Sequence, residues 1–144
     1  MAEIPMGDFD PIPMGDVLTH YAREKGDAPA VTYPEGSLTW AELESKANRL
    51  ARLYEEHGVV QDDMVTFALP NCLYYHMAVF AVWKLGAVPH IISPSLTSRE
   101  ISEIVELANP RIVLGINPDQ HEGGTSLLPD VDTAGYSDAP LESR

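Results

Sequence analysis

The chain has 144 residues, 44% of them hydrophobic, with a formal net charge of −13 at pH 7. That size and apolar content suit one domain, or one lobe of a larger one. The acidity argues against nucleic-acid partners, which call for clustered Lys and Arg against the phosphate charge.

The single cysteine, Cys72, has no internal disulfide partner and sits in an apolar context, as expected in a reducing compartment. The sequence shows neither a secretory leader nor an 18-residue apolar span, so a soluble, cytoplasmic protein with no membrane partner is expected. Charge is unevenly spread: from Met64 to Ser98 the only charged side chain is Lys84. Such a run implies burial on several sides, as in a parallel sheet covered by helices. Lys84 is then expected to be an exposed or snorkelling position.

In chain order, residues 1–15 carry three prolines and read as an irregular arm. Asp16 is the expected N-cap of a helix over Val17–Lys25, with Val17, Leu18, Tyr21 and Ala22 as its buried stripe and Gly26 as its end. The segment "PAVTYPEGSLTW" reads as a hairpin turning at Glu35-Gly36. Thr39 and Glu42 have capping-box spacing before a helix whose apolar stripe is Leu43, Ala47, Leu50, Ala51 and Tyr54, with Gly58 as a left-handed cap. Glu42, Lys46, Arg49 and Arg52 fall off that stripe.

The strand "MVTFALP" follows, then Asn71 as expected N-cap of "CLYYHMAVFAVWKL", a helix apolar nearly all round and so expected to be sandwiched. Gly86 leads into the strand "VPHIIS". "TSRE" at 97–100 repeats the capping-box spacing before a helix that Asn109-Pro110 stops, and "RIVLGI" is the next strand. Residues 117–144 read as loop or linker with one apolar anchor at Leu127 and Leu128. The expected fold class is α/β: a three-layer, partial doubly wound parallel sheet with flanking helices and a small N-terminal hairpin. Three strands are too few for a complete doubly wound domain.

Ligands of open parallel sheets bind beyond the carboxyl ends of the strands, here Pro70-Asn71, Ser93-Pro94-Ser95 and Asn117-Pro118. None of these loops has a dinucleotide glycine pattern or a GK[ST] phosphate loop. A phospho-receiver reading of Asp62-Asp63 fails, because the pair precedes its strand. The histidines His20, His57, His76, His90 and His121 lack zinc-ligand spacing. His90, near the carboxyl end of a buried strand, and Ser93 just beyond it are the substrate-edge candidates; no catalytic, cofactor or metal residue is assigned. Cys72 and the aromatics Trp40, Tyr74, Tyr75 and Trp83 read as packing, with an internal apolar pocket among the aromatics as the alternative.

Two stretches carry a family pattern. "SLTWAELESKANRLARLYEEHGV" resembles the opening of the adenylate-forming (AMP-binding) superfamily, which includes acyl-CoA synthetases, luciferases and peptide-synthetase adenylation domains. "VTFALPNCLYYHMAVFAVWKLGAVPHIISPSLTSREISEIVELANPRIVL" resembles its next stretch, with Pro-Asn turn, apolar helix, Lys-x-Gly-Ala-Val passage and Ser/Thr-x-x-Glu helix in order. The resemblance makes residues 16–116 the first lobe of such a ligase's large domain, and 117–144 the linker towards a phosphate-gripping loop lying beyond this sequence.

It implies an acyl-CoA synthetase: ATP, Mg and a small carboxylic acid give an acyl-adenylate, and coenzyme A takes the acyl group. None of Lys25, Lys46 or Lys84 matches the family's catalytic lysine. The loops that approach coenzyme A in some relatives correspond to Ser93–Thr97 and Gly115–His121, which contain no Arg or Lys. This piece is therefore expected to be inactive alone, with no cofactor of its own and the remainder of the ligase chain as its partner. The contrasting expectation is a self-standing, non-catalytic association module that forms a homodimer through apolar surface.

Overall fold

A computed structural model describes residues 11–116 and 125–142. The chain opens with α1 (Met14–Lys25) and the hairpin strands β1 (Pro29–Tyr33) and β2 (Gly36–Thr39), which pair antiparallel. The α2 helix (Trp40–Glu56) leads to β3 (Met64–Phe67), α3 (Leu73–Lys84), β4 (Val88–Ile91), α4 (Ser98–Ala108), β5 (Ile112–Leu114) and β6 (Thr125–Leu127). The main sheet has the order β4-β3-β5-β6, and every pair in it is parallel.

Alternation along the strands sends successive side chains to opposite faces and so builds two apolar layers. Val65, Phe67, Leu69, Ile112 and Leu114 pack with Leu50, Tyr54, Ala78 and Val82 from α2 and α3. Ala68, Ile92 and Val113 pack with Ile101 and Val105 of α4 on the other side. A third cluster of Leu18, Leu38, Leu43 and Ala47 seats the hairpin and α1 against α2. The three-layer α/β expectation is borne out.

Several local expectations change. The first helix starts at Met14 behind Pro13, so Asp16 lies in its first turn and is not the cap. Proline suits that position because the amide it lacks would have no intrahelical partner. The hairpin turns at Pro34-Glu35, since Tyr33 pairs with Gly36. Thr39 does cap α2, accepting from the Glu42 amide at 3.1 Å. Cys72, and not Asn71, is the N-cap of α3, and it makes no side-chain capping bond. The box at α4 is complete, with Thr97 and Glu100 each accepting from the other's amide.

Where the sequence suggests only loop, residues 125–127 form a fourth strand, with Leu127 paired to Leu114. Three residues flanked by glycines and a proline carry almost no strand signal of their own; the open side of β5 supplies the reason to extend.

Candidate functional site

The carboxyl ends of β3, β4 and β5 lie along one edge. Backbone bonds stitch their exits together: Ala68 N–H donates to Leu114 O at 3.0 Å, and Ile92 N–H to Phe67 O at 2.9 Å. Gly115 makes the tightest approach. With φ +85 it lies in the left-handed region, and a Cβ there would fall 2.5 Å from Leu69 Cδ2 and 2.6 Å from Ala68 O. Glycine is thus required where β5 leaves the sheet against β3.

His90 and Ser93 both lie near this edge but engage different partners. His90 stands in register with Thr66, and Thr66 Oγ1 shares a 2.9 Å hydrogen bond with His90 Nδ1. Thr66 is fully buried, so this bond satisfies a hydroxyl on the α4 face of the sheet. Ser93 is exposed and bonds Ser95 Oγ at 2.8 Å, closing a short turn. Asn117-Pro118 lies outside the described residues.

No Lys or Arg stands among Ala68–Asn71, Ile92–Ser95 or Gly115–Ile116. Among the described residues no group of three or more His, Cys, Asp or Glu could hold a metal ion. These strand ends therefore do not by themselves fit a magnesium triphosphate, which calls for cations and carboxylates aimed at it.

The strongest electrostatic feature lies elsewhere and overturns the reading of Lys84. Its side chain is 0% exposed, with Nζ 2.9 Å from Glu44 Oε2 and donating to Thr19 Oγ1 at 3.0 Å. The geometry at Oε2 is that of an ion pair and falls short of an aligned hydrogen bond. Thr19 Oγ1 donates to Glu44 Oε1 at 2.8 Å, and Asn48 Nδ2 reaches the same oxygen at 3.2 Å. Among the described residues Asn48 Oδ1 is buried with no hydrogen-bond partner. Lys84 cannot snorkel because α1 and α2 cover its end. One sequence signal pointed here: Glu44 falls at helical spacing with Ala47, Asn48 and Ala51, on the buried side of α2.

A second missed feature is the hold that α2 takes on residues 131–141. Arg49 and Arg52, which fall off the apolar stripe, donate to main-chain carbonyls of that segment.

The apolar helix α3 is not sandwiched throughout. One flank opens into a groove of about 560 Å³ lined by Tyr75, His76, Val79, Phe80, Trp83, Pro89 and Ile91. In it Phe80 and Trp83 meet edge-on at 5.3 Å, and burial holds the His76 imidazole below its usual pKa. Trp40 stacks on Tyr21 and Tyr74 bonds Tyr54, so the four aromatics do not enclose one cavity. Burial pushes the Tyr74 hydroxyl up to about 12, and Tyr54 rises for the same reason.

Comparison with known proteins decides the lineage. The AMP-binding enzyme family matches residues 18–141. The chain belongs to that family. It is 35% identical over 109 residues to 2,3-dihydroxybenzoate-AMP ligase of Bacillus subtilis (strain 168), covering 76% of this chain and 20% of the relative. It is 33% identical over 101 residues to 4-chlorobenzoate--CoA ligase of Arthrobacter sp, covering 69% of this chain and 19% of the relative. Among solved structures, the nonribosomal peptide synthetase FmoA3 (S1046A) superposes with a TM-score of 0.84 at 25% identity, over 94% of this chain and 15% of that one. The chain thus spans about a fifth of the length of these curated relatives. Among the described residues no helix is long and apolar enough to cross a membrane.

Proposed function

We propose that the chain is the first α/β lobe of an AMP-forming acid–thiol ligase of the acyl-CoA synthetase type, acting in the cytoplasm. In this reading ATP, with Mg, and a small carboxylic acid give an acyl-adenylate and pyrophosphate, and coenzyme A takes the acyl group. The observation that carries it is the family match over residues 18–141. Similarity to 4-chlorobenzoate--CoA ligase favours coenzyme A as the acceptor. With no cation at its strand ends, the lobe supplies framework, and His90 and Ser93 are its substrate-edge residues.

The test extends the reading frame beyond Arg144 and assays acid-dependent exchange of pyrophosphate into ATP. Exchange is expected, followed by thioester formation on coenzyme A. Transfer only to a carrier-protein thiol would overturn the acceptor, and no exchange with a broad panel of acids would overturn the ligase. The 144-residue chain alone should give no heat with Mg-ATP in calorimetry; micromolar affinity would contradict the framework role.

A second reading, the non-catalytic association module, is favoured by one observation. Among the described residues the sheet ends at β4, where Val88 is 43% exposed and Ile91, which lines the apolar groove, is 59% exposed. Free strand edges next to apolar surface invite pairing between chains. Sedimentation of the 144-residue chain decides it: a homodimer dispersed by Ile91→Lys supports the module, and a monomer excludes it.

A further inference from the structure

The helix α3 has two apolar faces, and the described residues cover one of them. Ala78, Ala81 and Val82 lie in the main core. His76, Val79, Phe80 and Trp83, at i, i+3, i+4 and i+7, form a second stripe that is only half-buried. With Pro89 and Ile91 of β4 they line the groove of about 560 Å³, and no Asp, Glu, Lys or Arg is among the lining residues. Burial holds the His76 imidazole below its usual pKa, so it too is neutral at pH 7. A helix that faced only water here would carry polar residues on this stripe.

The edge of β4 beside this groove is less open to strand pairing than its place in the sheet suggests. Val88 N–H donates to Asp63 O at 2.8 Å and Ile92 N–H to Phe67 O at 2.9 Å, so both residues face β3. Alternate residues of a strand present their amides to the same side, which turns His90 inward and Pro89 and Ile91 outward. Proline has no amide proton, so Val88–Ile91 offers an incoming strand a single donor, on Ile91. Proline on an outer strand is one of the devices that block sheet extension. A partner on this flank is therefore held by side chains packed into the groove, and not by lengthening the sheet.

We propose that the partner is a second copy of this chain, with the two α3 helices packed across a two-fold axis and the Trp83 ring of each copy set in the other's groove. The proposal rests on the association reading above and gives it a surface and a mode of contact. Charge selects a contact of this kind. Each chain carries −13, so two copies repel wherever their carboxylates meet. Between Met64 and Ser98 the one charged side chain, Lys84, is buried, so α3 and β4 present a neutral surface on which two copies can approach. Phe80 and Trp83 meet edge-on at 5.3 Å and line the same groove, so one surface supplies both the large aromatic side chains and the recess that takes them. A two-fold contact requires that self-complementarity. The stripe is much smaller than the roughly 20–30 residues a side of a standard interface, so the dimer is weak and concentration-dependent.

Sedimentation of the 144-residue chain over a concentration series tests this. A monomer–dimer equilibrium is expected, and added salt should tighten it by screening the repulsion between the acidic surfaces. Val79→Glu and Trp83→Glu each place a carboxylate on the shared surface and should weaken dimerisation by about tenfold or more, with the far-UV circular dichroism of the parent. Val79, the smaller and half-buried of the two, decides the matter where Trp83→Glu fails to fold. Pro89→Ala returns an outward amide to β4 and should not tighten the dimer. A dimer that ignores Val79→Glu, tightens with Pro89→Ala or loosens with salt would overturn the α3 contact and leave the association reading standing. A chain that stays monomeric at every concentration would overturn both and leave the flank to another occupant.

Discussion

Lys84 Nζ lies 2.9 Å from Glu44 Oε2, and both groups are buried where α1, α2 and α3 meet. Two opposite charges in such a place attract strongly but have lost their hydration, so the pair contributes less than its short distance suggests. Breaking it is a different matter. Lys84→Met leaves the Glu44 carboxylate buried and unpaired and should cost about 3–5 kcal/mol in urea unfolding. Replacing both, as Lys84→Met with Glu44→Leu, should recover most of that loss. Additive losses in the double variant would show that the two side chains act independently.

Gly115 offers a steric test. Alanine there would need a left-handed backbone and would drive its Cβ into Ala68 O and Leu69. Gly115→Ala should destabilise by more than about 1 kcal/mol. The loss should appear as a lower urea midpoint at unchanged slope, and a neutral result would mean that β3 and β5 part more easily than their exits imply.

His76 gives a pH dependence with a definite sign. Burial lowers its pKa below 6.5, and its Nε2 shares a 3.0 Å hydrogen bond with the Tyr33 hydroxyl. The unfolded chain therefore binds this proton at a higher pH than the folded one, so stability falls as pH drops through 6.5 towards the lowered value. His76→Gln should lose that part of the dependence while keeping a partner for Tyr33. Melting curves of parent and variant at pH 7.5 and 5.5 read the difference; parallel shifts would assign the effect to other groups.

The cap of α4 is a local test. Thr97→Ala removes the acceptor for the Glu100 amide and should cost about 1 kcal/mol. The Thr97 amide and hydroxyl together hold the Glu100 carboxyl below its usual range, and that contribution disappears as pH falls through the lowered pKa. NMR titration of Glu100 should therefore move towards ordinary carboxylate values in the variant.

The parts legible in the sequence were those that local chemistry dictates. Thr39 and Thr97 announced their helices because capping depends on residues three apart, and Gly58, at φ +92, ended α2 as its neighbours required. What stayed hidden depended on distant partners. Lys84 reads as a surface residue until Glu44 and Thr19, from two other helices, are brought over it. Thr125–Leu127 reads as loop until β5 offers an unpaired side. Arg49 and Arg52 read only as charges off the apolar stripe, because the carbonyls they hold belong to a segment without periodicity. Of the candidate site, the strand-end location was legible from topology, whereas the bond that engages His90 depends on its register with Thr66.

The all-parallel sheet carries a consequence for synthesis on the ribosome. In the central strand Val65 pairs with Val88's neighbour Pro89 on one side and with Ile112 on the other, and neither partner is near it along the chain. No hairpin can start such a sheet, and closing long loops delays it. A nascent chain released only as far as α3 would expose both edges of β3 and the face that α4 later covers, which is when a chaperone would be needed most.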